Sequence, residues 1–234
     1  MRKFIFVLVI LFSFVYFIKA SEKHNYKIDV DYPVTEYKKL NKFIDKKINY
    51  FEKLFLSEIR DNDVIIWDYY TLFINYKNYY YENILSYVFF VEYFVGGAHP
   101  NHAIFTVNYD TQKNIFIDVN SIQNIDAISV YARNNLIRDN RIVDTGMLLE
   151  GTKPTKDNFK NFVFTEDGYI FYFERYQVAP YSSGDISLIV PYDIEKGKWL
   201  AFHFFYICFK VILNWLAKYV VPFIPFAMAW VSVV

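Results

Sequence analysis

A long amphipathic segment near the start of the chain, residues 35–60, constrains the fold most strongly. Its large apolar side chains recur at helical spacing on one face, while lysine, aspartate and glutamate fill the other face. Thr35 and Glu36 suit the start of the helix, as cap and first-turn acid. The predicted apolar face consists of Leu40, Phe43, Ile44, Ile48, Phe51, Leu54, Phe55 and Ile59. Such a helix needs a partner that covers this face.

Segments with the patterns of β-strands precede and follow this helix in the sequence. We expect the sheet that they form to cover the apolar face of the helix. Alternating or aromatic-rich runs predict strands at residues 26–32, 67–79, 83–94, 103–109, 115–117, 162–164, 169–173 and 186–190. A second helix is expected over residues 121–138, and residues 139–160 read as irregular. Strands joined by short links pair antiparallel. We therefore predict an α+β fold, in which an antiparallel sheet packs with two main helices in one or two small lobes.

The first residues have the order of a secretory signal. Arg2 and Lys3 precede an apolar run from Phe4 to Ile18, and Ala20 offers a small residue for cleavage. We expect residues 1–20 to be a signal peptide, with an uncleaved membrane anchor as the alternative. The protein is then exported and works in the periplasm, outside the cell, or anchored to the membrane and facing outward.

The chain ends in a hydrophobic tail, residues 196–234. From residue 199 onward it contains no acidic side chain, and Lys210 and Lys218 are its only lysines or arginines. Its length is sufficient to cross a bilayer, although Lys218 opposes insertion. Membrane contact through residues 199–234 is the favoured interpretation. A buried extension and a read-through segment are the alternatives.

Charge and cysteine content exclude several classes of function. The chain carries 25 basic and 25 acidic residues, so no basic surface for nucleic acid is indicated. Cys208 is the only cysteine, which excludes an intrachain disulfide and a zinc site built on paired cysteines. We expect neither a metal nor a cofactor.

The densest motif in the sequence spans residues 96–102. It contains two glycines and a proline that can shape a connection between strands: Gly96, Gly97 and Pro100. Its polar members are candidate binding residues: His99, Asn101 and His102. The favoured alternative is a purely structural connection with the His99 ring bonded to the backbone, because two histidines alone do not complete a metal site.

A second motif surrounds a predicted loop at residues 178–184. Tyr176 and Tyr181 are candidate binding residues, because loops often carry aromatic contacts to partners. Pro180 and Gly184 are expected to shape the loop. The equally weighted alternative is that both rings pack beneath the loop.

Several motifs together resemble DUF3298, a family of exported bacterial domains. They occur in order over residues 84–192, at residues 84–86, 96–102, 108–110, 161–168, 176–184 and 190–192. The stretch from about residue 26 to residue 67 is similar to the DUF4163 module, which also precedes the catalytic domain of a peptidoglycan deacetylase. The same pair of modules forms the outer part of a lysozyme-sensing anti-sigma factor. We therefore expect modules at residues 21–82 and 83–195.

The resemblance implies an extracytoplasmic binding module in the cell envelope, with a lysozyme-like protein or peptidoglycan as its partner. Metal-dependent polysaccharide deacetylases use an adjacent aspartate pair and a His-x-x-x-His motif. Neither occurs in this sequence, whose histidines are His24, His99, His102 and His203. We therefore expect a non-catalytic protein. The alternatives are an enzyme acting on wall glycan, with His99 as base or ligand, and a purely structural envelope domain.

Overall fold

The computed structural model describes residues 26–61 and 69–196. The predicted signal peptide lies outside these residues, and so does the predicted membrane contact at residues 199–234. Among the residues described, no helix combines the length and apolarity that a membrane span requires.

Strands and helices alternate irregularly along this part of the chain, as an α+β fold requires. The strands are β1 Tyr26–Val30, β2 Tyr70–Tyr81, β3 Ile84–Phe94, β4 Asn101–Asp110, β5 Ile115–Ile117, β6 Phe162–Thr165, β7 Gly168–Phe173 and β8 Ile186–Val190. The α-helices are α1 Lys38–Asp61, α2 Ile125–Leu136, α3 Thr145–Gly151 and α4 Tyr192–Glu195. The predicted α+β class is confirmed.

The strands form two sheets. The first has the order β1-β2-β3-β4-β5 and the second the order β6-β7-β8. Pairing is antiparallel between β4 and β5 and throughout the second sheet. β1 departs from the antiparallel prediction, because it pairs parallel with β2. The reason is the connection: α1, 24 residues long, returns the chain to the opposite end of the sheet, as parallel pairing requires.

The described residues divide into two units. The first unit holds residues 26–61, 69–77 and 89–103, and the second holds residues 78–88 and 104–196. Strands β2, β3 and β4 contribute residues to both units, so the chain enters each unit more than once.

In the first unit, much of the apolar face of α1 is buried, and so are alternate side chains of β2, such as Leu72 and Ile74. Five of the predicted face residues are nearly inaccessible to solvent, namely Leu40, Ile44, Ile48, Phe55 and Ile59. Phe43, Phe51 and Leu54 are only half-buried, so the buried stripe is narrower than predicted. The helix also begins two residues later than Glu36, at Lys38, because the Asn41 side chain bonds the backbone N–H and C=O of Thr35.

In the second unit, helix α2 and the second sheet enclose an aromatic core. Phe159 lies edge-to-face against Phe171, with ring centroids 5.3 Å apart, and Phe162 packs on both Phe164 and Phe171. These rings are fully or almost fully buried. Such aromatic pairs add to the free energy gained from burial alone.

Polar side chains form hydrogen bonds with the backbone of β6 along the edge that does not pair with β7. The Phe162 N–H donates to Thr106 Oγ1 at 3.2 Å, and Asn108 Nδ2 donates to the Phe162 carbonyl at 3.0 Å. The Phe164 N–H donates to Ser86 Oγ at 3.2 Å. Asn108 and Ser86 are buried, so their hydrogen bonds replace those of a neighbouring strand.

Candidate functional site

The motif at residues 96–102 forms the connection between β3 and β4. Gly96 and Gly97 both adopt positive φ, 102° and 114°. A Cβ on Gly97 meets no atom within 4 Å, so the backbone conformation alone requires glycine there. These two residues therefore shape the turn.

The candidate binding residues of this motif lie on or near that turn. His99 is exposed, and its Nδ1 lies 3.0 Å from the carbonyl oxygen of the adjacent Pro100. Asn101 is exposed at the first position of β4, and His102 follows it half-buried. Within residues 26–61 and 69–196, no group of three or more His, Cys, Asp or Glu side chains is arranged to hold a metal ion. The arrangement is that of a surface turn.

The second motif forms the loop between β7 and β8. Tyr176 is 57% exposed and adopts φ 68°, a left-handed conformation that is unusual for a bulky residue. Tyr181 begins a short 3-10 turn, Tyr181–Ser183, after the extended Pro180. The two tyrosine ring centroids are 5.8 Å apart, with the ring planes inclined by 42°. The Tyr176 ring therefore lies on the surface with Tyr181 beside it, rather than beneath the loop.

The underside of this loop is anchored by Gln177. Its Nε2 donates to the Gly151 and Asn158 carbonyl oxygens at 3.0 and 2.9 Å, and its Oε1 accepts from the Glu174 N–H at 3.0 Å. A Cβ on Gly151 would overlap the Gln177 carbonyl oxygen and lie 2.6 Å from its carbon, so only glycine allows this approach. The next residue, Val178, is fully buried.

Arg175 packs over one face of the Tyr181 ring. Its guanidinium carbon lies 4.4 Å from the ring centroid, at the distance of a cation–π contact. Its Nε also lies 3.4 Å from Asp185 Oδ1. The Arg175 side chain is only 18% exposed, so its position is determined by packing as well as by charge.

A second arginine ties the end of the loop to the segment after α2. Arg141 Nη1 donates to the Asp185 carbonyl at 2.9 Å, and Ser183 Oγ donates to the Arg141 carbonyl at 2.8 Å. The Arg141–Asp139 ion pair, 2.7 Å long, lowers the pKa of Asp139 and raises that of Arg141. Gly184, at φ 71°, turns the chain between these contacts.

The structure assigns the two motifs to different units and adds supporting residues that the sequence prediction missed. Arg175, Gln177 and Arg141 hold the loop that carries the predicted tyrosines. The local signal for Arg175 was its position six residues before Tyr181, the ring on which it stacks, because arginine commonly stacks on aromatic rings. The contacts of Gln177 and Arg141 join distant segments, and local sequence patterns do not reveal them.

Comparisons with known proteins confirm the predicted resemblance. Residues 104–193 match the family described as "Protein of unknown function (DUF3298)", and residues 19–102 match the family "Deacetylase PdaC". Peptidoglycan-N-acetylmuramic acid deacetylase PdaC of Bacillus subtilis (strain 168) is 32% identical over 192 residues. That alignment covers 76% of this chain but 40% of the relative, so the chain spans less than half of that protein. The predicted module boundary between residues 82 and 83 stays a prediction.

Two crystal structures of DUF3298 family members are also similar. The protein from Bacteroides fragilis is 21% identical, with 67% of this chain and 65% of that chain covered and a TM-score of 0.46. The protein from Pseudomonas aeruginosa is 17% identical, with 55% and 61% covered and a TM-score of 0.39.

Proposed function

We propose that this chain, which carries a DUF3298 domain behind a PdaC-like module, is a non-catalytic binding module of the cell envelope whose ligand is peptidoglycan. The observation that carries the proposal is the relationship to PdaC, which extends over 76% of the chain. That relative is named as a peptidoglycan deacetylase. Homology to it supports an exported protein associated with the cell wall.

The sequence and the two motifs favour binding over catalysis. The sequence contains neither an adjacent aspartate pair nor a His-x-x-x-His motif. His99, the residue assigned as base or ligand in the enzyme alternative, is exposed on a turn with its Nδ1 beside a backbone carbonyl. By contrast, the loop with Tyr176 and Tyr181 presents aromatic surface from a backbone held by several hydrogen bonds. Anchored aromatic side chains are typical of binding surfaces.

A sedimentation assay tests this proposal. The full chain is mixed with purified peptidoglycan sacculi, and cellulose serves as an unrelated insoluble polysaccharide. We expect the chain to sediment with sacculi, to stay in solution with cellulose, and to release no acetate from either. Failure to sediment with sacculi would refute peptidoglycan as the ligand.

Two further measurements separate the alternatives. Release of acetate from sacculi, lost in His99→Ala, would replace the binding proposal with an enzyme. Retention on immobilised lysozyme, without sedimentation on sacculi, would assign a protein partner instead. Membrane contact through residues 199–234 is a separate proposal, tested by the partition of the chain into vesicles before and after removal of that segment.

A further inference from the structure

We propose that Tyr176 and Tyr181, here called the tyrosine pair, form a stacking surface for a neutral N-acetylhexosamine ring of the glycan strand. The inference rests on the proposed function and specifies which part of peptidoglycan is bound: the sugar backbone rather than the peptide stems. The tyrosine pair and its supports lie within the second unit.

The first observation is that the two tyrosine rings lie side by side at the surface of the loop. Tyr176 is 57% exposed, and its ring centroid lies 5.8 Å from that of the half-buried Tyr181, so the Tyr176 ring supplies most of the aromatic surface and Tyr181 extends it. The face of an aromatic ring is apolar and carries negative quadrupole charge. Sugar rings present C–H groups of positive partial charge on their faces, and covering both surfaces removes apolar area from water. Tyrosine hydroxyls can then bond the sugar hydroxyls at the rim.

The second observation is that contacts within the protein hold the loop that carries the pair. Gln177 anchors the backbone directly after Tyr176 through three hydrogen bonds, and Arg175 packs against the Tyr181 ring. Arg141 fastens the other end of the loop through Asp185 and Ser183. A preorganised surface loses little conformational entropy when a ligand arrives, and weak stacking contacts depend on that saving.

The third observation is the charge around the pair, which selects among ligands. Three ion pairs lie at or beside the loop: Arg175 with Asp185, Arg141 with Asp139, and Lys160 with Glu174. An anionic ligand would therefore meet no net positive surface from these groups. Peptide stems and phosphate-rich wall polymers carry charge, whereas acetylated hexosamine rings do not. The charges favour the sugar.

The test uses soluble chitohexaose, a neutral N-acetylglucosamine oligomer without peptide, titrated into the full chain and followed by calorimetry or NMR. We expect Tyr176→Ala and Tyr181→Ala each to weaken binding about tenfold, the scale on which truncation of an interface tyrosine is felt. Tyr176→Phe keeps the ring and should bind within about twofold of the natural chain. Tyr80→Ala is the matched control, because Tyr80 is 62% exposed in the same unit but outside the loop.

The outcomes distinguish this inference from the proposed function. Sedimentation with sacculi that persists unchanged in Tyr176→Ala, without chitohexaose binding, leaves the proposed function intact and overturns the tyrosine pair. Tyrosine-dependent chitohexaose binding without sedimentation supports the pair and overturns peptidoglycan as the ligand. Equal loss of binding in Tyr80→Ala, or tighter binding of isolated stem peptide than of chitohexaose, also overturns the inference. Melting curves of all variants confirm that they are folded.

Discussion

Replacement of Tyr176 by glycine should leave a more stable protein than replacement by alanine, the reverse of the usual order. Tyr176 occupies the third position of a tight turn closed by the Gln177 N–H, which donates to the Glu174 carbonyl at 2.9 Å. Its φ of 68° lies in the left-handed region, where the Cβ of any L-residue is crowded. Glycine has no Cβ and adopts this conformation freely.

The magnitude follows from two opposing contributions. A residue with a Cβ in the left-handed conformation costs about 1–2 kcal/mol, and glycine avoids that cost. Glycine loses more backbone entropy on folding, which disfavours it by about 0.5–1 kcal/mol relative to alanine. Both variants lack the Tyr176 ring, so the lost contact with Tyr181 cancels in the comparison. The difference should therefore lie between about 0 and 1.5 kcal/mol, centred near 0.75 kcal/mol, in favour of Tyr176→Gly.

Urea unfolding of the full chain measures the difference directly. Asn134, an exposed residue within α2, supplies the matched control. There Asn134→Gly should be less stable than Asn134→Ala by about 1 kcal/mol, because the site is helical. If Tyr176→Gly is less stable than Tyr176→Ala, as at the control site, the Tyr176 backbone is not strained and the reasoning fails.

Four further substitutions test the packing and the first motif. Gly151→Ala should destabilise the chain by about 1–3 kcal/mol and weaken chitohexaose binding, because its methyl group would displace the loop backbone; unchanged urea unfolding would contradict this. Phe55→Ala should cost about 3–5 kcal/mol and Phe51→Ala clearly less, since Phe55 is 0% exposed and Phe51 is half-buried. His99→Ala should change the unfolding free energy by less than about 0.5 kcal/mol, since its ring is exposed; a larger loss would make the ring a structural support.

Elements with a strong periodic pattern could be predicted from the sequence closely. The helical face of residues 35–60 became α1, and the last strand was predicted with the bounds that β8 has. The strands predicted at residues 162–164 and 169–173 are also present, as the antiparallel pair β6 and β7. In each case the local pattern and the tertiary environment favour the same structure, which is the condition under which sequence patterns are informative.

Structural features that do not depend on a long periodic pattern were not predicted from the sequence. Helix α3, Thr145–Gly151, lies within a segment predicted as irregular. Asp144 caps it by accepting hydrogen bonds from the Gly146 and Met147 N–H groups, and this Asp-Thr start was the available signal. Seven residues are too few to show a helical period convincingly. The parallel pairing of β1 was missed because strand direction depends on where the intervening helix returns the chain.

Residues of the DUF3298-like motifs differ in whether the fold explains their presence. Asn108 and Ser86 belong to segments that resemble DUF3298, and their buried hydrogen bonds to β6 account for them structurally. Tyr176 differs from them, because its side chain is not buried and its ring packs beside Tyr181 at the surface. Its turn position favours glycine or asparagine, and its ring is mostly exposed. A residue that carries backbone strain without burying its side chain lowers stability, and such residues concentrate at ligand sites. The conflict between residue type and turn geometry at Tyr176 therefore supports a binding role for this loop more strongly than its aromatic composition does.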